Sequence, residues 1–333
     1  MEYGKAEQGS DKPAAVVKYN IKMDDTKKSV VTELTKNLKK ILNEAVKKSC
    51  TEEKIGIILS AGIDSTIIAQ LASHFSEVTA YSVGAAADSH DLEFARRLSE
   101  CADFKINIIE INADDVFDAV REVIKVTKNP NAVKTSVGVP FYIASKHAAS
   151  DGIKVMLCGQ GPDELFGGYN RYVERIKEDG CYDRMNISEM MKKDVENVYE
   201  SQLKNDAAIC ASNGVELRFP YMYGDFRKYA MQIPVELKIY EVPGGEDAEF
   251  SCVDEIAGKK FIRKFILRKV AQDIGIPEFI INRQKKAAQY GSGVNKILDK
   301  IARNHSFKSK AREKGRNDYV NVFLEDLLTQ TKI

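Results

Sequence analysis

Neither sign of charge is in excess in this sequence: 50 Lys plus Arg stand against 49 Asp plus Glu in 333 residues, a formal net of +1. A balance that close supplies no field to gather nucleic acid or an anionic surface, so neither is expected as a partner. No apolar run approaches the roughly 18 residues that a membrane-spanning helix requires. The opening MEYGKAEQGSDKPAA has no apolar core of the kind an export signal carries, so export is not expected. The six cysteines (Cys50, Cys101, Cys158, Cys181, Cys210 and Cys252) never form C-x-x-C, which argues against a zinc ribbon or a disulfide framework. Scattered thiols fit a reducing cytosol, and a cytoplasmic location is expected. The four histidines (His74, His90, His147, His305) show no ligand spacing, so no structural metal is expected. There is no G-x-x-x-x-G-K-[ST] loop, no internal repeat and no low-complexity run.

What remains is an ordinary globular composition, 44% hydrophobic and 30% charged, in a chain long enough for one large α/β domain or two. Residues 1–23 are polar and read as a loose tail. Over 24–49, Val31, Leu34, Leu38, Ile41, Leu42 and Ala45 recur at helical spacing with lysines on the other face, an amphipathic helix. From Ile55 short apolar runs alternate with helical patterns. Strands are expected at Ile55–Leu59, Val78–Val83, Ile106–Ile111 and Val155–Cys158. Helices are expected at Thr66–Phe75, Asp91–Cys101, Asp114–Val126 and Val137–Ser150. That alternation predicts an α/β fold with a doubly wound parallel sheet, whose ligands sit at the carboxyl ends of the strands. After Gly168 strands fade, 241–258 reads as a long loop, and the C-terminal half is expected to be helical. The expected division is 1–50, tail and helix; 51–300, the main α/β domain; 301–333, a helical tail that is basic up to Arg316.

The stretch that organises the chain is IGIILSAGIDSTIIAQLASHF, Ile55–Phe75. An apolar strand meets a turn of small residues, Ser60–Ser65, that opens into a helix. This layout points backbone N–H groups and a helix N-terminus at a phosphate. Ser60 and Ser65 add hydroxyl donors, and Gly62 lets an anion approach the backbone. Asp64 is out of place beside phosphates unless a divalent cation lies between, so the turn predicts a phosphate chain plus magnesium. A second cluster, Gly159-Gln160-Gly161-Pro162-Asp163-Glu164, follows the fourth strand. Strands one and four are neighbours across the switch point of a doubly wound sheet, so Asp163 is expected to face Asp64 over one crevice.

The Ser60–Ser65 turn resembles the S-G-G-x-D-S pyrophosphate loop (PP-loop) of ATP pyrophosphatases, with Ala61 in place of the first glycine. GQGPDELFGGYNRY at Gly159–Tyr172 resembles the S-G-E-G-A-D-E-L-F-G-G-Y signature of the asparagine synthetase synthetase domain, shared in part by β-lactam synthetase. YSVG at Tyr81–Gly84, SHDLEFAR at Ser89–Arg96, GVELRFP at Gly214–Pro220 and KFILRKVAQDIGIPEFIINRQKKAAQYGSG at Lys264–Gly293 follow in family order. The resemblance implies a carbon–nitrogen ligase of asparagine biosynthesis. It activates a carboxylic acid with ATP, forms an acyl-adenylate and pyrophosphate, and gives the acyl group to ammonia or another amine with release of AMP. It implies ATP and Mg2+ as cofactors, with Asp64 and Asp163 as metal ligands and Leu59, Ser60, Ala61, Gly62, Asp64 and Ser65 as the pyrophosphate loop. Val83 and Gly84 would contact adenosine, and Gly159 and Gln160 would begin the second nucleotide-contact loop. Lys285, in Arg283-Gln284-Lys285, matches the family's catalytic lysine, a compact charge suited to follow charge moving onto phosphate.

Three departures bear on substrate. Position 2 is Glu, not the nucleophilic cysteine of a glutaminase half, so ammonia is expected free or from a separate glutaminase. Gln160 takes the signature's glutamate position, and an amide accepts no proton from a nitrogen nucleophile. Pro220-Tyr221-Met222-Tyr223 replaces P-F-L-D, losing an acid. Glu216, near in sequence, is the expected compensating base, so the expected catalytic set is Lys285, Glu216 and Gln160. Aspartate is the default acid, and a homodimer is left open. Two other readings stand beside this one: a different PP-loop or tRNA-modifying ligase, and a nucleotide-binding subunit without turnover. The first often adds paired cysteines or a basic RNA-binding appendage, and the second has no need of Asp64, Asp163 and Lys285 together.

Overall fold

The computed structural model describes residues 25–86, 89–175, 183–284 and 288–330. The N-terminal half runs α1 (Asp25–Ser49), β1 (Lys54–Ile58), α2 (Ile63–Ala72), β2 (Glu77–Ala85), α3 (His90–Ser99), β3 (Lys105–Ile111), α4 (Ala113–Thr127), α5 (Ala132–Ser150) and β4 (Val155–Cys158). Then come α6 (Pro162–Phe166), α7 (Asn170–Val173), α8 (Arg184–Val198), a π turn at Tyr199–Leu203, α9 (Lys204–Ser212) and β5 (Glu216–Arg218). A 3-10 turn at Pro220–Met222 leads to α10 (Gly224–Gln232), α11 (Val235–Lys238), β6 (Ile239–Val242), β7 (Asp254–Ile256), β8 (Lys259–Arg263), α12 (Phe265–Asp273) and α13 (Glu278–Ile281). The chain closes with α14 (Ala288–Gly291), α15 (Val294–Asn304), α16 (Phe307–Glu313) and α17 (Tyr319–Gln330).

The main sheet is parallel throughout, in the order β3-β2-β1-β4-β5. Strand order reverses between β1 and β4, so the loops leaving those two strands part and open a crevice at their carboxyl ends. The central strands are short apolar runs because both faces are covered: Ile55, Ile57, Met156 and Leu157 are wholly buried. Leu38, Leu42 and Val46 of α1 and Leu324 of α17 reach the same core, so both ends of the described chain hold the sheet in place. No helix among the described residues is long and apolar enough to cross a membrane.

The expected strands and helices are found with shifts of a few residues, and the doubly wound parallel sheet is found as expected. Helix α5 begins at Ala132, earlier than Val137, because the Asn131 side chain accepts the Lys134 N–H and caps it there. The second half is less uniformly helical than its sequence suggests. Three residues, Glu216–Arg218, add an edge strand to the main sheet. A small antiparallel sheet, β6-β8-β7, takes in both ends of the stretch 241–258 that reads as loop, and the loop itself runs over 243–253. Its job is positional, since β8 delivers Arg263 and Lys264 to the crevice.

Candidate active site

The loop after β1 is held by weak contacts that an anion can replace. Ser60 N and Ser60 Oγ lie 3.3 and 3.2 Å from Ser65 Oγ, and Gly62 N donates to Ser60 Oγ at 3.3 Å. These are long for N–H and O–H donors, so exchange for phosphate oxygens costs little. Gly62 occupies the N-cap of α2 with no side chain over the helix end, leaving its first N–H groups facing the crevice. Ala61 is buried at φ +50°, the left-handed region that an L side chain enters at about 1–2 kcal/mol. The loop therefore keeps the geometry of a glycine at a position that carries a methyl group.

The second loop is locked against the first. A Cβ on Gly159 would lie 2.6 Å from Ser65 N and 2.7 Å from Ser65 Cα, so only glycine allows β4 to end against the start of α2. Tyr221 donates its hydroxyl to Asp64 O at 3.1 Å from the other side. Asp64 and Asp163, second residues of α2 and α6, then meet at one cation. Lys264 Nζ lies 2.6 Å from Asp64 Oδ2 and 2.7 Å from Asp163 Oδ1, with its own side chain only 3% exposed. Lys264 holds φ +56° between β8 and α12, a strained backbone of the kind found where a side chain must be aimed. Behind it Arg263 grips Asp254 through two N–H bonds and donates to Gly168 O at 2.7 Å, fixing the Gly167-Gly168 turn.

A third anchor comes from the C-terminal part of the chain. Arg283 donates to Ser60 O and to Asp91 Oδ1, each at 2.6 Å, with its guanidinium 4.3 Å above the Phe94 ring. It binds the Ser60 loop to α3. Val83 and Gly84 sit buried at the carboxyl end of β2. A Cβ on Gly84 would overlap Ser89, whose hydroxyl donates to Gly291 O while Ala85 N donates to Ser292 O.

The residues present fit a divalent cation. The donors are hard carboxylate oxygens, a cation already bridges them, and Asp64 Oδ1 is buried with no hydrogen-bond partner among the described residues. No group of three His, Cys, Asp or Glu gathers among the described residues. A pair of carboxylates is what magnesium takes when phosphates complete its shell.

Of the residues expected from sequence, the structure brings together Leu59, Ser60, Ala61, Gly62, Asp64, Ser65, Gly159, Gln160 and Asp163, with Val83 and Gly84 on the neighbouring strand. Lys285 lies outside the described residues, and Cys181 likewise. Glu216 requires correction. It opens β5 opposite Val155, the first residue of β4, at the amino ends of the strands and away from the crevice. There it accepts two hydrogen bonds from Arg218, at 2.8 Å each, which hold its carboxyl below the usual range and make it a poor proton acceptor.

Three residues were not singled out from sequence. Lys264 and Arg283 lie inside the motif-bearing segment but resemble any surface cation until the fold is known. Asp206 is the third. Its carboxyl is buried in α9, accepts Gln160 Nε2 at 2.9 Å, and is pushed up to about 7 by burial, which the Gln160 and Gln202 hydrogen bonds partly oppose. Its signal was present: Leu203, Asp206 and Cys210 share the inward face of the helix, and an acid on such a face needs a reason. Glu164, next to Asp163 in α6, is likewise pushed up to about 7, by burial first and then by the charge of Asp163, and accepts the Tyr169 hydroxyl at 2.5 Å.

The family model described as asparagine synthase matches residues 37–185 and 181–330. A Methanocaldococcus jannaschii protein, named a candidate glutamine-hydrolysing asparagine synthetase, is 38% identical over 307 residues, 87% of this chain and 54% of its own length. The nodule asparagine synthetase of Pisum sativum is 26% identical over 270 residues, 75% of this chain and 41% of its own. The chain thus spans about half the length of the curated relatives it matches. Among solved structures, an ammonia-dependent NAD synthetase from Campylobacter jejuni, crystallised with nitrate, aligns with 17% identity and a TM-score of 0.32, over 55% of this chain and 93% of its own.

Proposed function

The chain belongs to the asparagine synthase family, and from that premise we propose that it activates a carboxylic acid with ATP and passes the acyl group to a nitrogen nucleophile. Aspartate and ammonia are the default pair, and the products are an amide, AMP and pyrophosphate. The observation that carries this reading is the convergence of Asp64 and Asp163 on a single buried cation above a loop of open N–H and hydroxyl donors.

In this reading the Ser60, Gly62 and Ser65 donors and the start of α2 take the β- and γ-phosphate oxygens, and Val83, Gly84 and Gly159 flank the nucleoside. Asp64 and Asp163 would hold magnesium, which would offset charge on the phosphates and on the departing pyrophosphate. The loop donors hold that pyrophosphate as its charge grows, and the α-phosphate is left facing the acid's carboxylate. Lys264, the ammonium between the two carboxylates, would supply a positive charge beside the phosphates. Lys285 is proposed as a second such group, on the family motif alone.

The test is acid-dependent exchange of labelled pyrophosphate into ATP, followed by amide formation with ammonium, over a panel of amino and other carboxylic acids. Aspartate is expected to drive exchange, and Asp163→Asn to reduce it at least about 100-fold, the scale of losing one strong transition-state stabiliser. Exchange that survives Asp163→Asn overturns the metal assignment. Tight ATP binding with no acid supporting exchange overturns the ligase reading.

A further inference from the structure

Behind the metal pair, on the other side of α6, lies a cavity of about 400 Å3 whose wall includes Glu164, Tyr169, Lys134, Gln202 and Asp206. Asp206 is 3% exposed, and its carboxylate is one of the most deeply buried acids in the chain. A π turn at Tyr199–Leu203 immediately precedes its helix; the extra residue re-phases the helix, and Asp206 then falls on the inward face. Gln160 connects this acid to the phosphate crevice. Its neighbour Gly159 abuts the backbone of Ser65, while its own side chain donates to Asp206 Oδ2 at 2.9 Å. The other end of that amide, Gln160 Oε1, is buried and has no hydrogen-bond partner among the described residues. An acceptor without a donor, buried behind a carboxyl that itself lines the cavity, suits a ligand that is rich in N–H donors.

We propose that Asp206, held in place by Gln160, is the proton acceptor for the nitrogen nucleophile, and that the cavity beside it admits ammonium or a small primary amine. The inference rests on the ligase reading and assigns a residue that reading leaves without one, since Gln160 itself takes no proton. In the step, ammonium gives one proton to Asp206 Oδ. The freed lone pair forms the C–N bond at the acyl carbon, the C–O bond to the phosphate breaks with its electron pair leaving on AMP, and the second N–H proton passes to solvent. The groups facing Asp206 suit a carboxyl that cycles near neutrality. Lys134 of α5 favours the charged form, Cys158 of β4 and Cys210 of its own helix are uncharged thiols raised by burial, and Glu164 of α6 shares the cavity. On β5, Glu216 and Arg218 satisfy each other.

Asp206→Asn separates the two half-reactions. Aspartate-dependent pyrophosphate exchange is expected to stay within about twofold, because no proton acceptor is needed to form the adenylate. Amide formation from ammonium at pH 7 is expected to fall about 100-fold, the low end of general-base effects. The deficit should shrink as pH rises and free ammonia replaces ammonium. Hydroxylamine, uncharged at neutral pH, should still give hydroxamate at close to the wild-type rate. Gln160→Glu, a second variant, should move the pH profile of amide formation upward, because a like charge raises the carboxyl pKa. Equal loss with ammonium and hydroxylamine, undiminished reaction with ammonium, or no shift in Gln160→Glu would each overturn the assignment. Absence of exchange with any acid in the wild-type protein is a different result: it removes the ligase reading, and this inference with it.

Discussion

Replacing Lys264 by Met tests the central geometry directly, because the substitution keeps most of the side-chain volume and removes only the charge. In the native protein one ammonium lies 2.6 and 2.7 Å from two carboxylates, with the lysine 3% and each acid 17% exposed. Taking away the cation leaves two like charges facing each other with little water between them. Breaking a buried pair in this way costs about 3–5 kcal/mol. Magnesium should recover part of the loss. A ligand at about ten times its dissociation constant contributes about 1.4 kcal/mol, and in the variant the ion no longer has an ammonium to displace. The assay is urea unfolding followed by circular dichroism, with chelator and with magnesium. The reasoning fails if Lys264→Met is as stable as wild type in chelator, or if magnesium stabilises both proteins equally.

Gly159→Ala places a methyl 2.6 Å from the Ser65 backbone nitrogen; overpacking of this kind costs about 1–3 kcal/mol, and ATP affinity, read by calorimetry, should weaken at least about tenfold as the loop shifts. Arg283→Met frees Ser60 O from Asp91, and the expected outcome is a higher KM for ATP with a smaller change in kcat. Asp206 titrates near 7 when folded, against its ordinary value of 3.8, so folding is penalised wherever the carboxyl must ionise. Its contribution is intact below about pH 4 and is lost as pH climbs through 7. Asp206→Asn should therefore gain stability over wild type, on the order of 4 kcal/mol, between pH 4 and pH 8; a gap that stays constant with pH would contradict the burial argument.

The first half of the fold was legible because its central strands, β1 and β4, are buried on both faces and appear as apolar runs, while the half-buried edge strand β3 still carries four isoleucines. Val155–Cys158 was located to the residue, and β1 to β3 within one or two. The later strands carry no such mark. Glu216-Leu217-Arg218 has one apolar residue, and β7 and β8 mix Asp, Glu and Lys with Ile and Phe, as short partly exposed strands do. At the site, the small-residue turn and the two acids could be read because their types are unusual at the ends of strands. Lys264 could not: its role depends on a left-handed backbone and on a second sheet that brings it from residue 264 to residue 64. Proximity in sequence misled the choice of Glu216, since β5 runs parallel to β4 and starts at the wrong end of it.

The latches around the Ser60 loop join parts of the chain that are far apart along it: Lys264 to Asp64 across 200 residues, Ser89 to Gly291 across 202, Arg283 to Ser60 across 223. During synthesis the sheet strands β1 to β4 can pair long before any of these anchors exists. A nascent chain halted near residue 250 would carry every strand of the main sheet but none of these anchors, and the Ser60 loop would stay open until the segment around Gly291 had left the ribosome.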